Sequence, residues 1–110
     1  MEFKKHYYVD GVVMGCDVDN KRQGMWCVVD VNTNIPMESI EYDNGLMHGP
    51  YCFVNDDLTV YGSHIRGKKS GIWSYFENEH LHILAFYDND ECVSEQVFNE
   101  NGSIHTRWFD

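Results

Sequence analysis

No window of the 110-residue sequence approaches the roughly 18 consecutive apolar residues that a membrane-spanning helix needs, so a helical anchor is not expected. The four cysteines, Cys16, Cys27, Cys52 and Cys92, include no CxxC pair, and Met1-Glu2-Phe3-Lys4-Lys5 opens without the apolar stretch of a signal peptide. Both absences make the cytoplasm the expected location, where thiols stay reduced and behave as small hydrophobic groups. Positive charge is scarce: eight Lys and Arg stand against eighteen Asp and Glu, a formal net charge of -10. A field of that sign opposes direct binding to nucleic acid or anionic lipid, and it suits solubility or a basic partner. No stretch places apolar side chains at i, i+3, i+4 and i+7, so little or no helix is expected.

Aromatic and β-branched residues are plentiful instead. Hydrophobic residues make up 43% of the chain, with three Trp, seven Tyr and six Phe, a content that excludes intrinsic disorder and favours strands. A chain of this length forms one domain.

One short phrase recurs. Gly24-Met25-Trp26, Gly49-Pro50-Tyr51 and Gly71-Ile72-Trp73 lie at intervals of 25 and 22 residues, each leading into a run of alternating apolar and polar residues. Self-similarity of this kind means that each unit is one supersecondary piece that must lean on its neighbours to bury its apolar side. The unit is clearest over residues 68–90. Lys68-Lys69 precede Gly71-Ile72-Trp73, Tyr75 continues the strand, a turn falls at Glu77 to His80, and His82 to Tyr87 return. Residues 45–67 repeat the layout with Tyr51 for Trp73, Phe53 for Tyr75 and a turn at Asn55 to Asp57. Residues 21–44 do so with Lys21-Arg22, Trp26, Val28 and a turn near Asn32 to Asn34. Pro36 marks the return strand of that unit as irregular. Residues 1–20 and 91–110 read as partial units that cap the ends, the last having Ser94-Glu95-Gln96 in place of Gly-x-Trp, which argues against a regular final strand. Asp10-Gly11, Asn44-Gly45 and Asn101-Gly102 are hairpin-turn dipeptides. The glycine before each ring is expected to leave a gap in the sheet for an aromatic side chain to cover.

This unit, with its acidic or Asn-bearing turn, basic pair and Gly-x-Trp/Tyr, resembles the bacterial variant of the MORN repeat over about residues 7 to 106. The resemblance implies an all-β fold, an elongated antiparallel sheet of successive MORN-type β-hairpins. It also implies a binding module of the antitoxin-like kind, since members of the wider family are associated with membrane lipids or with protein partners. The sequence departs from the pattern at Leu46-Met47, where the basic pair would stand, at Tyr51, and in the last unit.

Groups that could carry chemistry are few. His80, His82 and His105 are the best metal-ligating set, with Glu79 or Asp88 as a further ligand, but no HExxH motif accompanies them and no metal is expected. Cys27 and Cys52 follow Trp26 and Tyr51 in the same repeat phase and should share one face. Carboxylate pairs at Asp56 and Asp57, Glu77 and Glu79, and Asp88 with Asp90 and Glu91 fall in turns, where solvation explains them. No nucleophile elbow or phosphate-cradling glycine loop is present. The expectation is therefore a protein without enzymatic activity or cofactor. Lys21, Arg22, Arg66, Lys68 and Lys69 fall in equivalent turns, as solvated residues that guard a sheet edge.

A thin sheet cannot hide every ring, so Trp26, Tyr51, Trp73, Tyr75, Trp108 and Phe109 are the expected binding surface. The expected activity is that of an inhibitor or antitoxin-like neutraliser that covers a protein partner with a basic surface, with no direct nucleic-acid or membrane contact. An edge strand offers a route to a homodimer. Two other readings remain: an acidic nucleic-acid mimic that blocks a DNA- or RNA-binding protein, and a self-assembling scaffold.

Overall fold

Neighbouring residues with positive φ reverse the chain at Asp19 and Asn20, Asn44 and Gly45, Arg66 and Gly67, Asn78 and Glu79, and Asn89 and Asp90. Positive φ at both central residues is the signature of the two-residue type I′ hairpin loop, whose twist matches that of the flanking strands. The computed structural model describes residues 2–7 and 11–109. Its strands are β1 (Glu2–Tyr7), β2 (Gly11–Val18), β3 (Lys21–Asp30), β4 (Pro36–Asp43), β5 (Leu46–Val54), β6 (Leu58–Ile65), β7 (Lys68–Lys69), β8 (Gly71–Glu77), β9 (His80–Asp88), β10 (Glu91–Phe98) and β11 (Ile104–Trp108).

All strands join one open antiparallel sheet in chain order, with the two-residue β7 pairing β6 beside β8. The sheet is elongated, 48 × 32 × 17 Å, and no helix occurs among the described residues. The expected all-β architecture of successive hairpins is thus the observed one. Of the turn dipeptides, Asn44-Gly45 forms a two-residue loop, whereas Gly102, at positive φ, belongs to a longer connection closed by Asn99 and Ser103. Asp10, with Tyr8 and Val9, lies outside the described residues.

The turns at one end of the sheet are stitched together. The Gly45 N–H donates to the Arg22 carbonyl at 2.9 Å, Gly67 to Met47 at 2.7 Å, and Asp90 to Lys69 at 2.9 Å. Each bond runs from the second turn residue of one hairpin to the second strand residue of the preceding one. The turns therefore satisfy backbone groups that would otherwise need water.

The recurring glycines make bulges. Gly24, Met25 and Trp26 of β3 together span the single residue Gly15 of β2, and His48, Gly49 and Pro50 of β5 span Glu41 of β4. Between β6 and β7–β8, four residues from Ser70 to Trp73 span Gly62 and Ser63. Gly24, Gly49 and Gly71 all have positive φ, at 77°, 108° and 75°, which a side chain would resist. This corrects the role expected of them. They supply backbone freedom, and the glycines covered by rings are others: a Cβ on Gly15 would fall 2.3 Å from Trp26, and one on Gly62 2.2 Å from Trp73.

Where Ser94-Glu95-Gln96 replaces the phrase, the large bulge disappears and only Val93 is extra between β9 and β10. The final full strand is more regular for it, contrary to expectation. Pro36 does accompany an irregularity, a register shift at Val28 and Val29. The core cluster is small: Val60, Trp73 and Ala85, flanked by Tyr51, Phe53, Leu58, Tyr75, Ile83, Tyr87 and Cys92.

Candidate functional site

Successive strand residues point to opposite faces, so the register divides the rings between two surfaces. One face carries the row Trp26, Ile40, Tyr51 across β3 to β5, continued by Gly62 and then by Trp73, Ala85, Glu95 and Arg107. Trp26 and Trp73 are buried, each covering its glycine, and their indole Nε1–H groups donate to the carbonyls of Cys16 and Ser63 at 3.1 and 3.2 Å. Both were expected at a binding surface, and both are instead packed within the chain.

The basic turn residues are not all solvated either. The Arg22 guanidinium lies 4.3 Å from the Trp26 ring centroid and 5.3 Å from that of Tyr42, and its Nη1 donates to the Tyr42 hydroxyl at 3.0 Å. Lys69 Nζ lies 4.7 Å from Trp73 and 4.9 Å from Tyr87. Attraction between a cation and an aromatic face explains both placements. Tyr42 pairs Gly24 and Tyr87 pairs Gly71, so the two units match residue for residue.

The middle unit breaks the pattern at every point of this trio. Met47 stands where the cation would be, Tyr51 replaces Trp, and His64, the partner of Gly49, replaces the tyrosine. Ile40 rather than glycine faces Tyr51. The result is an open groove of about 480 Å³ lined chiefly by Ile40, Met47, Tyr51, Phe53, Val60 and Trp73, with Glu38, His64, Lys69 and Tyr75 also in its wall. The Tyr51 hydroxyl donates to the Glu38 carboxylate. Burial and that bond push the phenol well above the usual tyrosine range; Tyr75 is raised likewise, by burial and by its hydrogen bond with Tyr87. His64 is only 6% exposed and its Nδ1 has no partner. Burial, aided by Lys69 and opposed by Asp90, holds the imidazole below its ordinary pKa.

The opposite face carries a different row. Ile72 pairs Phe86, Phe86 pairs Ser94, and Ser94 pairs Trp108. Ile72, Phe86 and Trp108 are 61%, 47% and 77% exposed, so three large apolar side chains stand in line around one small serine. Tyr61 and Phe76 extend this surface in edge-to-face contact at 6.0 Å. Cys27 and Cys52 also share this face, each paired with Ser39. All four cysteines are free, and burial pushes the Cys52 thiol up, away from the reactive thiolate. Sequence reasoning singled out Trp108 and Phe109, which are exposed, and Tyr51 and Tyr75, which are half-buried. Ile72 and Phe86 were not among the six residues expected at that surface, although their alternation with Trp73 and Ala85 was the available signal.

The histidine set does not converge. His105 pairs Val97, which pairs Ile83, placing it out of register with His82. His80 and His82 line a cavity of about 610 Å³ beside Glu77, Phe98 and Glu100. Among the described residues no three His, Cys, Asp or Glu side chains group in a way that would hold a metal ion. No protein-family model and no curated protein matches this sequence.

Proposed function

We propose that this chain is a non-enzymatic protein-binding module of the MORN-variant type, a cytoplasmic inhibitor or antitoxin-like neutraliser that covers a surface of its partner. The row Ile72, Phe86, Ser94 and Trp108 carries the reading. Aligned, exposed apolar side chains on a sheet are what a protein interface uses as anchors. Asp88, two residues beyond Phe86 on the same face, pairs Glu91 and sets two carboxylates beside the middle of the row, next to the turn that joins β9 and β10. With a net charge of -10, this arrangement selects a partner with a basic rim around an apolar patch.

The nucleic-acid mimic draws less support, because carboxylates such as Asp19, Asp56, Asp57, Glu79 and Asp90 stand at turns rather than in rows on one face. Capture of a partner from the source cell's lysate at about 0.15 M salt, repeated at several-fold higher salt, separates the two. A stoichiometric protein that stays bound at the higher salt supports apolar docking. Release as salt rises supports mimicry.

A further inference from the structure

The geometry points to the groove at Tyr51 as a socket for a guanidinium group, the arginine side chain of a protein partner. The chain itself displays the bound form in the neighbouring unit. There Arg22 lies over Trp26 and Tyr42 and donates to the Tyr42 hydroxyl, and in the unit beyond the groove Lys69 lies over Trp73 and Tyr87. Of the three full units only the middle one has the cation replaced, by the uncharged and flexible Met47, and there the groove opens.

The groove offers what a guanidinium needs. His64 occupies the position of Tyr42, so a guest placed as Arg22 is placed brings an N–H to the side chain whose Nδ1 is buried and unpartnered. A neutral imidazole protonated at Nε2 accepts that bond at Nδ1, and in this tautomer a donor-rich guest is the fitting one. Glu38 supplies a carboxylate in the wall, and the half-buried Tyr51 ring, which holds the position of Trp26, supplies an aromatic face beside Trp73, 5.2 Å away and itself already covered by Lys69. Lys69 opposes a cation here, but its ammonium is turned to Trp73 and Tyr87. An anion would gain Lys69 but meet the Glu38 carboxylate in the same wall.

That the arginine belongs to a protein partner rests on the reading above; the socket does not, since Trp73 and Ile72 are successive residues and the apolar row is on the other face. The test uses n-butylguanidinium chloride on the full chain, followed by ¹H–¹⁵N NMR at the His64 imidazole and the Trp73 indole. Saturable shifts at both are expected, with none from sodium butyrate. Met47→Arg, which fills the socket from within as Arg22 does, should abolish them in a protein of unchanged circular dichroism. Glu38→Gln should weaken binding about tenfold, as loss of a charged hydrogen-bond partner does. Absence of saturable shifts in the wild type, equal shifts from butyrate, or undiminished binding in Met47→Arg or, should that variant not fold, in Glu38→Gln, would overturn the socket. The apolar row would be untouched by such a failure.

Discussion

The Trp73 ring covers the Cα of Gly62 so closely that a methyl group there would fall 2.2 Å from its carbons, while its Nε1–H donates to the carbonyl of the next residue, Ser63. The same pair recurs as Trp26 on Gly15, with the bond to Cys16. A strand glycine normally weakens a sheet, and an aromatic ring laid over it restores the lost packing. Gly62→Ala and Gly15→Ala should each destabilise the protein by about 2–3 kcal/mol through overpacking. Gly24→Ala, where a Cβ meets nothing within 4 Å but φ is 77°, should cost only about 1 kcal/mol of backbone strain. Urea denaturation of the three variants checks the order.

Lys69→Met copies into the unit of residues 68–90 the residue that the middle unit already has at Met47. It should cost about 0.5–1 kcal/mol, the worth of an exposed cation–π contact, and tryptophan fluorescence should report a changed Trp73 environment. A variant as stable as the wild type would mean that the contact between Lys69 and Trp73 contributes nothing.

Glu79 holds φ at 68° in the turn with Asn78. Left-handed backbone costs a residue with a Cβ about 1–2 kcal/mol, so Glu79→Gly should raise the thermal midpoint despite the greater freedom it gives the unfolded chain. A lowered midpoint in a thermal melt would contradict the strain assigned to this turn.

His64 couples stability to pH. Burial first, and then Lys69, lower its folded pKa below 6.5, so as the pH falls the unfolded chain takes up the proton before the folded one does. The stability this contributes is fully present above pH 6.5 and is lost as the pH drops through the folded value. His64→Tyr restores the residue type of Tyr42 and Tyr87, and it should fold with a shallower loss of urea midpoint between about pH 7.5 and about pH 5 than the wild type. Equal losses in both proteins would remove His64 from the account.

Much of the fold is legible because its signals are local. Asn44-Gly45 declares its turn by the two residue types that tolerate positive φ, and the Gly-x-aromatic phrase declares the period. The turn at Asn78-Glu79 is placed by the repeat, between Glu77 and His80, rather than by its own residue types, since glutamate seldom adopts that conformation. The candidate sites were harder to see because they are made by register. Trp26 looks like an exposed ring until Gly15 is seen beneath it, and Ile72, Phe86, Ser94 and Trp108 come from four strands whose alignment depends on bulges that no short window encodes. His64 reads as an unremarkable strand histidine until it is matched with Tyr42 and Tyr87.

The apolar row is tested most directly by comparing partner capture for the wild type and for the double variant Ile72→Ser/Phe86→Ser at matched thermal stability. The account predicts a stoichiometric protein partner retained by the wild type at raised salt and lost by the variant, as removal of interface anchors requires. The same partner recovered undiminished by the variant would contradict it.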